Sequence, residues 1–213
     1  MKDVIIVCDD FFGLNVQMII EAINQSKIFQ GKEAVYNIKG FLCSHESKII
    51  QNKNTLPIIG EIENWCSIED EYYVMGIVNP ISKYKNIQIL KNKGAKFITL
   101  IAPWVLVPPT VKFGEGCIIS ATSIKESAKI GDYVILYECM VGGNAVLGNY
   151  SSVMAYANIT SANIGEKVYV GANAVILENK YICKNTYIYP NSVVVKNIKV
   201  ASKMLGIPAR KIK

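Results

Sequence analysis

Aliphatic residues recur every six positions through the second half of this chain, and this period restricts the possible folds more than any other feature. Two five-residue steps interrupt a series that is otherwise regular: Ile118, Ile124, Ile130, Leu136, Val141, Leu147, Val153, Ile159, Ile164, Val170, Ile176, Ile182, Ile188 and Val194. A hexapeptide period of this kind is typical of a parallel β-helix, in which three six-residue units form one triangular coil.

The residues around each aliphatic position fit the same interpretation. The position four residues further on is mostly small or β-branched, as at Ala128, Ala145 and Ala174, and glycine often follows the aliphatic residue directly. Small residues are expected at corners, where a larger side chain would collide with the next coil. A β-sandwich would instead need period-two alternation and hairpin turns. The pattern therefore predicts an all-β parallel β-helix of about five coils over residues 105–195, followed by a tail over 196–213.

The first hundred residues have a different pattern. Apolar runs predict buried strands over 4–8, 35–42 and 72–77, and helical spacing of apolar residues predicts helices over 16–26 and 81–93, the second ending at Gly94. Strands that alternate with helices at this spacing favour a small Rossmann-like parallel sheet. We therefore expect an α/β domain over residues 1–100.

Composition excludes several classes of protein. Hydrophobic residues make up 51% of the 213 residues, which excludes a disordered chain, and no apolar run is long enough to cross a membrane. The first apolar run is too short for a signal peptide, so we expect a cytoplasmic protein with reduced cysteines. The six cysteines form no CxxC pair, so no metal site is expected. The net charge of +6 comes from dispersed lysines, which does not favour nucleic-acid binding.

A small α/β domain followed by hexapeptide repeats resembles the family of sialic acid O-acetyltransferases and bacillosamine-pathway sugar N-acetyltransferases. The Val-rich last coil at 191–197 and the Gly-Ile-Pro-Ala-Arg segment at 206–210 are similar to that family's ending. The resemblance covers essentially the whole chain. It implies a left-handed β-helix, a homotrimer with acetyl-CoA in the groove between neighbouring β-helices, and a sugar acceptor, usually nucleotide-linked, in surface-glycan synthesis.

The family places a histidine base on the β-helix, and this chain departs from that pattern. Aligned on Gly148, the histidine position is occupied by Gly143 and the acidic position after it by Asn144. Replacement candidates for the catalytic role are Glu138 and Tyr137, with Asn144 as a hydrogen-bonding group. Each also fits a structural role, as a solvated corner residue or an aromatic side chain at a subunit interface.

The missing base affects the two acceptor chemistries differently. A sugar hydroxyl needs its proton removed in the transition state, whereas a neutral amine can attack once it is held in place. We therefore favour acetyl transfer to an amino group of a nucleotide-linked amino sugar. The alternatives are an O-acetyltransferase with a substitute base, a catalytically impaired homologue that binds CoA or a partner, and a scaffold whose groove is blocked.

The resemblance also indicates which residues would bind the two substrates. Residues at or next to the pantetheine positions are Ser161, Gly171, Ala172 and Pro190, and the candidate phosphate partners are Lys196 and Arg210, the only arginine. Small residues are also expected at these corners for packing alone, and both cations also fit a solvated surface.

The acceptor end of the chain departs from the family as well. The family has a glycine-rich turn after the first strand, and only Gly13 of that turn remains in this chain. Asp9 and Asp10 precede it, and their charges would repel a diphosphate unless they face away as helix caps. After the second strand come His45, the only histidine, and Glu46. The candidates for substrate binding are therefore Gly13, His45 and Glu46.

Overall fold

The structure, a computed structural model, describes residues 1–44, 55–67 and 69–212. Contacts within it divide the chain into two compact units, residues 1–78 with 82–103 and residues 79–81 with 104–213. His45 and Glu46, both predicted to bind substrate, lie outside the described residues.

The first unit contains a five-stranded parallel sheet with helices between its strands. Its elements are β1 (Lys2–Val7), α1 (Phe12–Phe29), β2 (Tyr36–Cys43), β3 (Ile58–Glu61), β4 (Glu71–Met75), α2 (Pro80–Asn92), β5 (Lys96–Phe97) and β6 (Leu100–Ile101). The sheet has the order β3-β2-β1-β4-β5, with every pair parallel. The predicted α/β domain is confirmed. The short strands β3 and β5 were not predicted, because four and two residues carry too little periodicity.

Helix α1 begins four residues earlier than its apolar spacing predicts. The Phe12 N–H donates to the Asp10 carboxylate at 2.9 Å, which satisfies an amide that the first turn leaves without a helical partner. Val16, Ile19 and Ile20 are buried along the face that packs on the sheet. The helix start is thus set by a polar cap, which a search for apolar spacing does not detect.

The second unit is a parallel β-helix. Its strands are β7 (Lys112–Phe113), β8 (Ile118–Ser120), β9 (Ser123–Ile124), β10 (Lys129–Ile130), β11 (Ile135–Tyr137), β12 (Met140–Val141), β13 (Val146–Leu147), β14 (Ser152–Val153), β15 (Asn158–Ile159), β16 (Asn163–Ile164), β17 (Tyr169–Val170), β18 (Val175–Ile176), β19 (Tyr181–Ile182), β20 (Tyr187–Ile188), β21 (Val193–Val194), β22 (Lys203–Leu205) and β23 (Arg210–Ile212). Strands β7 to β21 form five coils of three strands, as the repeat predicts.

Three faces and three corners describe the positions on this β-helix. Face 1 contains β7, β10, β13, β16 and β19; face 2 contains β8, β11, β14, β17 and β20; and face 3 contains β9, β12, β15, β18 and β21. Following the chain, corner A joins face 1 to face 2, corner B joins face 2 to face 3, and corner C joins face 3 to the next face 1. The tail continues the structure, since β22 pairs in parallel with β20, and β23 pairs antiparallel with β22.

The aliphatic residues of the repeat stack in register inside the β-helix. On face 2, for example, Leu136 pairs with Val153, Val153 with Val170, and Val170 with Ile188, and all four are 0% exposed. Burial of such side chains contributes about 1.5–3 kcal/mol each. The hexapeptide period is therefore the spacing of the hydrophobic core.

The corners repeat a backbone conformation that the sequence analysis did not identify. Twelve non-glycine residues of the β-helix have positive φ, mostly six positions apart: Ser127, Tyr133, Glu138, Asn144, Tyr150, Tyr156, Ser161, Lys167, Asn173, Asn179, Asn185 and Asn191. Asparagine adopts this conformation more readily than other non-glycine residues. The evenly spaced asparagines from 173 to 191 were therefore a usable corner signal. The N–H of Asn144, for instance, donates to the Glu126 carbonyl of the preceding coil at 3.0 Å.

Tyrosine at such a corner should cost stability. Tyr156 has φ 61° and is 68% exposed within a single chain, so its ring gains little burial from its own β-helix. We expect Tyr156→Asn to stabilise the protein by about 1 kcal/mol, because asparagine relieves the left-handed strain. The measurement is the urea midpoint at fixed protein concentration. The control is Tyr181→Asn, the same change on strand β19 at 44% exposure, where no strain is relieved and no gain is expected.

Candidate active site

Corner C brings together two of the residues that the sequence analysis proposed for different roles. Asn144, a catalytic candidate, and Ser161, a cofactor candidate, line one pocket with a volume of about 340 Å³. The Ser161 hydroxyl donates to the carbonyl oxygen of Gly143 at 2.7 Å. The position where the family carries its histidine therefore lies beside this pocket, and Ser161 fixes its backbone.

Gly143 has room for a side chain, whereas the glycine before it has none. A Cβ atom added to Gly143 would meet only the Glu126 carbonyl oxygen, at 3.3 Å, and the Lys125 Cβ, at 3.9 Å. A Cβ added to Gly142 would lie 2.8 Å from the Ser161 backbone nitrogen. Packing therefore explains the glycine at 142 and does not explain the one at 143.

Corner B holds the other catalytic candidates together with most of the predicted pantetheine positions. Tyr137 ends strand β11 of face 2 and Glu138 follows it in one coil, and Gly171, Ala172 and Pro190 follow face 2 in later coils. The Asn191 N–H, next to Pro190, donates to the Ala172 carbonyl at 2.9 Å. A Cβ on Gly171 would lie 2.5 Å from the Pro190 nitrogen, so coil packing alone requires this glycine.

Within one chain the structure does not bring all catalytic candidates together. Tyr137 and Glu138 lie on corner B, whereas Gly143 and Asn144 lie on corner C, and strand β12 of face 3 separates the two pairs. A reaction that used both corners would therefore need two chains.

Tyr137 is suited to proton donation rather than to the role of base. Burial raises the pKa of its hydroxyl, and the charge of Glu138 and a hydrogen bond to that side chain raise it further. The phenol is therefore protonated at neutral pH. Of these two side chains, Glu138 is therefore the one that can serve as a base.

The two predicted phosphate partners lie on different parts of the β-helix. Arg210 begins β23 and pairs with Leu205, and the turn before it contacts strand β21 of face 3, where the Ala209 N–H donates to the Val193 carbonyl at 2.8 Å. Lys196 follows β21 and enters corner C. Both side chains are exposed, so each is available to an anion.

In the first unit, backbone N–H groups that follow β1 already donate hydrogen bonds to acceptors within the chain. The Gly13 N–H donates to the Asp10 carbonyl at 3.2 Å, and the Asp10 carboxylate caps Phe12. Asp9 accepts the Ser44 N–H at 3.0 Å, so Asp10 bonds locally at the helix start whereas Asp9 binds the backbone after β2. A phosphate at this helix start would meet occupied amides and a carboxylate. Gly13 therefore offers no amide cradle, and a nucleotide bound by this unit needs other contacts.

Other features of the described residues limit the chemistry. In the parts of the chain that the structure covers, no three histidine, cysteine or acidic side chains come close enough to hold a metal ion. The six cysteines, all among the described residues, form no disulfide, and Cys8, Cys43, Cys117 and Cys139 are buried. No described helix has the length and apolar character needed to cross a membrane. Lys83 of α2 is fully buried, which no sequence pattern indicated.

No protein-family model matches the sequence, and no curated protein matches it either. Solved structures do match. The acetyltransferase domain of PglB from Neisseria gonorrhoeae superimposes with a TM-score of 0.79 at 18% identity, over 100% of both chains. The chain has the fold of this acetyltransferase. PerB from Caulobacter crescentus, in complex with CoA and GDP-perosamine, matches with a TM-score of 0.78 at 16% identity, over 100% of this chain and 98% of that one.

Two further matches bear on the missing histidine. They are variants of the Caulobacter crescentus perosamine N-acetyltransferase in which one histidine is replaced, by alanine or by asparagine, each in complex with CoA and GDP-perosamine. Their TM-scores are 0.71 and 0.60, at 17% and 16% identity over 100% of this chain. That enzyme therefore holds both ligands without that histidine. WeeI from Acinetobacter baumannii also matches, with a TM-score of 0.60 at 18% identity over 99% of this chain and 100% of that one.

Proposed function

We propose that this protein transfers an acetyl group from acetyl-CoA to the amino group of a nucleotide-linked amino sugar. The observation that carries the proposal is the match of the whole chain, α/β unit and β-helix together, to structures of an acetyltransferase domain and of PerB with CoA and GDP-perosamine. A β-helix alone would indicate no acceptor. The α/β unit in the same order supports a nucleotide-linked sugar.

The corner geometry favours an amine acceptor. Gly143 supplies no base beside the pocket, and the neighbouring side chains, Asn144 and Ser161, are neutral hydrogen-bonding groups. Acetyl-CoA would supply an activated thioester that a neutral amine can attack. The chain then needs only to hold the amine in line with the thioester carbonyl and to exclude water. A hydroxyl acceptor held in the same way would keep its proton and react slowly.

The proposed site is shared between chains. The pantetheine candidates Gly171, Ala172 and Pro190 lie on corner B, and the acceptor end would lie against Gly143 and Asn144 on corner C. We propose a homotrimer in which corner B of one chain faces corner C of the next. Exposed apolar side chains on and beside face 3, at Met140, Leu177 and Val195, provide surface for such an assembly.

The direct test is turnover. Protein whose mass by light scattering corresponds to three chains is mixed with acetyl-CoA and a panel of nucleotide-linked amino sugars, and release of free thiol is followed. We expect turnover with at least one amine and none with the matching hydroxyl sugar. Absence of turnover across the panel, or equal rates for amine and hydroxyl, would refute the proposal.

Glu138, on corner B of the neighbouring chain in the proposed trimer, should accept the proton that the amine loses after it has attacked the thioester, a later step than the deprotonation that a hydroxyl needs during its attack. We expect Glu138→Gln to lower kcat about 10²-fold with little change in KM, at the low end of base catalysis because an amine needs less help. Tyr137→Phe serves as the control, since it removes the hydrogen bond to Glu138 and leaves the carboxylate. The loss of kcat should be confined to Glu138→Gln. An unchanged kcat in Glu138→Gln would exclude Glu138 as the base.

The second candidate is a protein that binds acyl-CoA without transferring the acyl group. Glycine at 143 and the occupied amides at the start of α1 favour it, because both departures remove groups that the related enzymes are expected to use. Calorimetry separates the two functions. CoA binding without turnover on any acceptor would support the binding protein.

A further inference from the structure

The small-residue column on corner C is interrupted at one coil by a lysine. Ala128, Ala145 and Ala162 occupy equivalent positions in successive coils and are at most 2% exposed. Hydrogen bonds fix the register: the Lys129 N–H donates to Ala145, the Val146 N–H to Ala162, and the Asn163 N–H to the carbonyl of Lys180. Lys180 therefore stands where the other coils bury alanine.

Nothing in the repeat requires a cation at this position. An ammonium group cannot replace a buried alanine methyl group without reaching solvent or a partner. Lys180 is half-buried and lines the same pocket as Asn144 and Ser161. It has no acidic partner among the residues that the structure describes. It is thus a cation in a concave site with its charge uncompensated.

The remaining walls of the pocket are uncharged, with mostly polar side chains beside Val146 and Ala162. Asn144, Ser161 and Asn179 come from the corner, and Val146, Asn163 and Tyr181 are aligned in register on face 1. Lys180 is the only charged residue among those that line it. Amide N–H groups, hydroxyls and one ammonium together favour a ligand that brings negative charge and hydrogen-bond acceptors.

We propose that Lys180 forms an oxyanion subsite that holds a phosphate or carboxylate of one of the two substrates. The inference rests on the proposed function and adds a specificity-determining residue to it. Lys180 lies two coils beyond the Gly143 coil, about 10 Å along the β-helix at the usual strand spacing. An anion held there lies away from the reacting group along the β-helix axis. CoA and a nucleotide-linked sugar both carry phosphates beyond their reacting groups, so both are candidates.

Calorimetric titrations of the trimer with four probes identify the source of the anion. The probes are CoA, 3′-dephospho-CoA, 4′-phosphopantetheine and a UDP-linked amino sugar. Lys180→Ala should weaken at least one of them roughly ten- to hundred-fold, the effect of losing one charge-assisted contact. If Lys180→Ala binds CoA more weakly but 3′-dephospho-CoA equally well, Lys180 contacts the 3′-phosphate. If it binds all three pantetheine compounds more weakly, Lys180 contacts the phosphate next to pantetheine. If only the affinity for the UDP-sugar falls, Lys180 contacts the acceptor.

The control is Lys184→Ala, which removes an exposed lysine at corner A of the same coil. It should change every affinity less than two-fold. Lys180→Ala should also keep or raise the urea midpoint, because alanine restores the repeat, so weaker binding could not be ascribed to unfolding.

Three outcomes would overturn the subsite: equal affinities of Lys180→Ala and the unaltered protein for every probe, equal losses in both lysine variants, or no measurable binding of any probe. The inference can fail separately from the proposed function. Turnover that is indifferent to Lys180 refutes only the subsite. Binding that depends on Lys180 without turnover refutes only acetyl transfer.

Discussion

Gly143→His combined with Asn144→Asp should raise kcat/KM for a hydroxyl acceptor by about 10²–10⁴-fold, the usual contribution of a positioned base. The imidazole would stand beside the pocket, and the aspartate would orient it. The backbone accepts both changes, because a Cβ at 143 meets only a carbonyl oxygen at 3.3 Å and aspartate tolerates the φ of 58° at position 144. Rates with a hydroxyl sugar and with the matching amino sugar are measured by thiol release.

Two controls separate chemistry from packing. Gly143→Ala adds the same Cβ without a base and should leave both rates unchanged. Gly142→His moves the imidazole by one residue, where its Cβ would lie 2.8 Å from the Ser161 nitrogen, and it should destabilise the protein without any gain in rate. If the double variant folds and remains as slow as Gly143→Ala, the acceptor does not approach corner C, and our placement of the reacting group is wrong.

Gly148→Ala should be among the most destabilising single-methyl changes in the β-helix. Its Cβ would lie 2.5 Å from the carbonyl carbon of Gly165 and 2.6 Å from the nitrogen of Glu166, both backbone atoms of the next coil. No flexible side chain can move to make room, so the coils must separate. We expect a loss of about 3 kcal/mol, at the upper end for an overpacked site. The measurement is urea unfolding at fixed protein concentration, since assembly contributes to stability.

The matched control is again Gly143→Ala, an added methyl group on the same β-helix whose nearest neighbour, the Glu126 carbonyl oxygen, would lie 3.3 Å away and needs only a small shift. We expect it to change stability by less than about 0.5 kcal/mol, as for a surface substitution. Equal losses for the two alanine variants would show that chain flexibility, and not the coil spacing, is what glycine provides at position 148.

The sequence predicted the fold well because the repeat specifies its own register. Each aliphatic residue, such as Val153, must lie inside the β-helix, since a shift by one residue would expose the whole column. The same pattern could not predict β3 or β5, which are too short to show a period. It also missed the start of α1, which depends on the Asp10 carboxylate and not on apolar spacing.

The candidate site was predictable only in parts. The six-residue frame identified Gly143 as the position without a histidine, and it could have identified Lys180 as the break in the column of alanines. The frame could not indicate that a Cβ atom would be more crowded at Gly142 than at Gly143, because that difference depends on backbone atoms of neighbouring coils. Nor could it show that the carboxylate and the carbonyl of Asp10 accept hydrogen bonds from the N–H groups that follow β1.

The sequence by itself determined the architecture of this protein, because the hexapeptide period is that of a β-helix coil. It also determined how scarce its acid–base groups are, because a chain with one histidine has one imidazole. Only the tertiary structure decided which candidates share a corner. Residues 137 and 138 are five to seven positions from 143 and 144, yet a turn of the β-helix places the two pairs on different corners. Lys180 and Asn144 are 36 positions apart, yet coil stacking brings them to one pocket. Stacking joins residues separated by whole coils, and this is why position in the chain alone did not reveal the site.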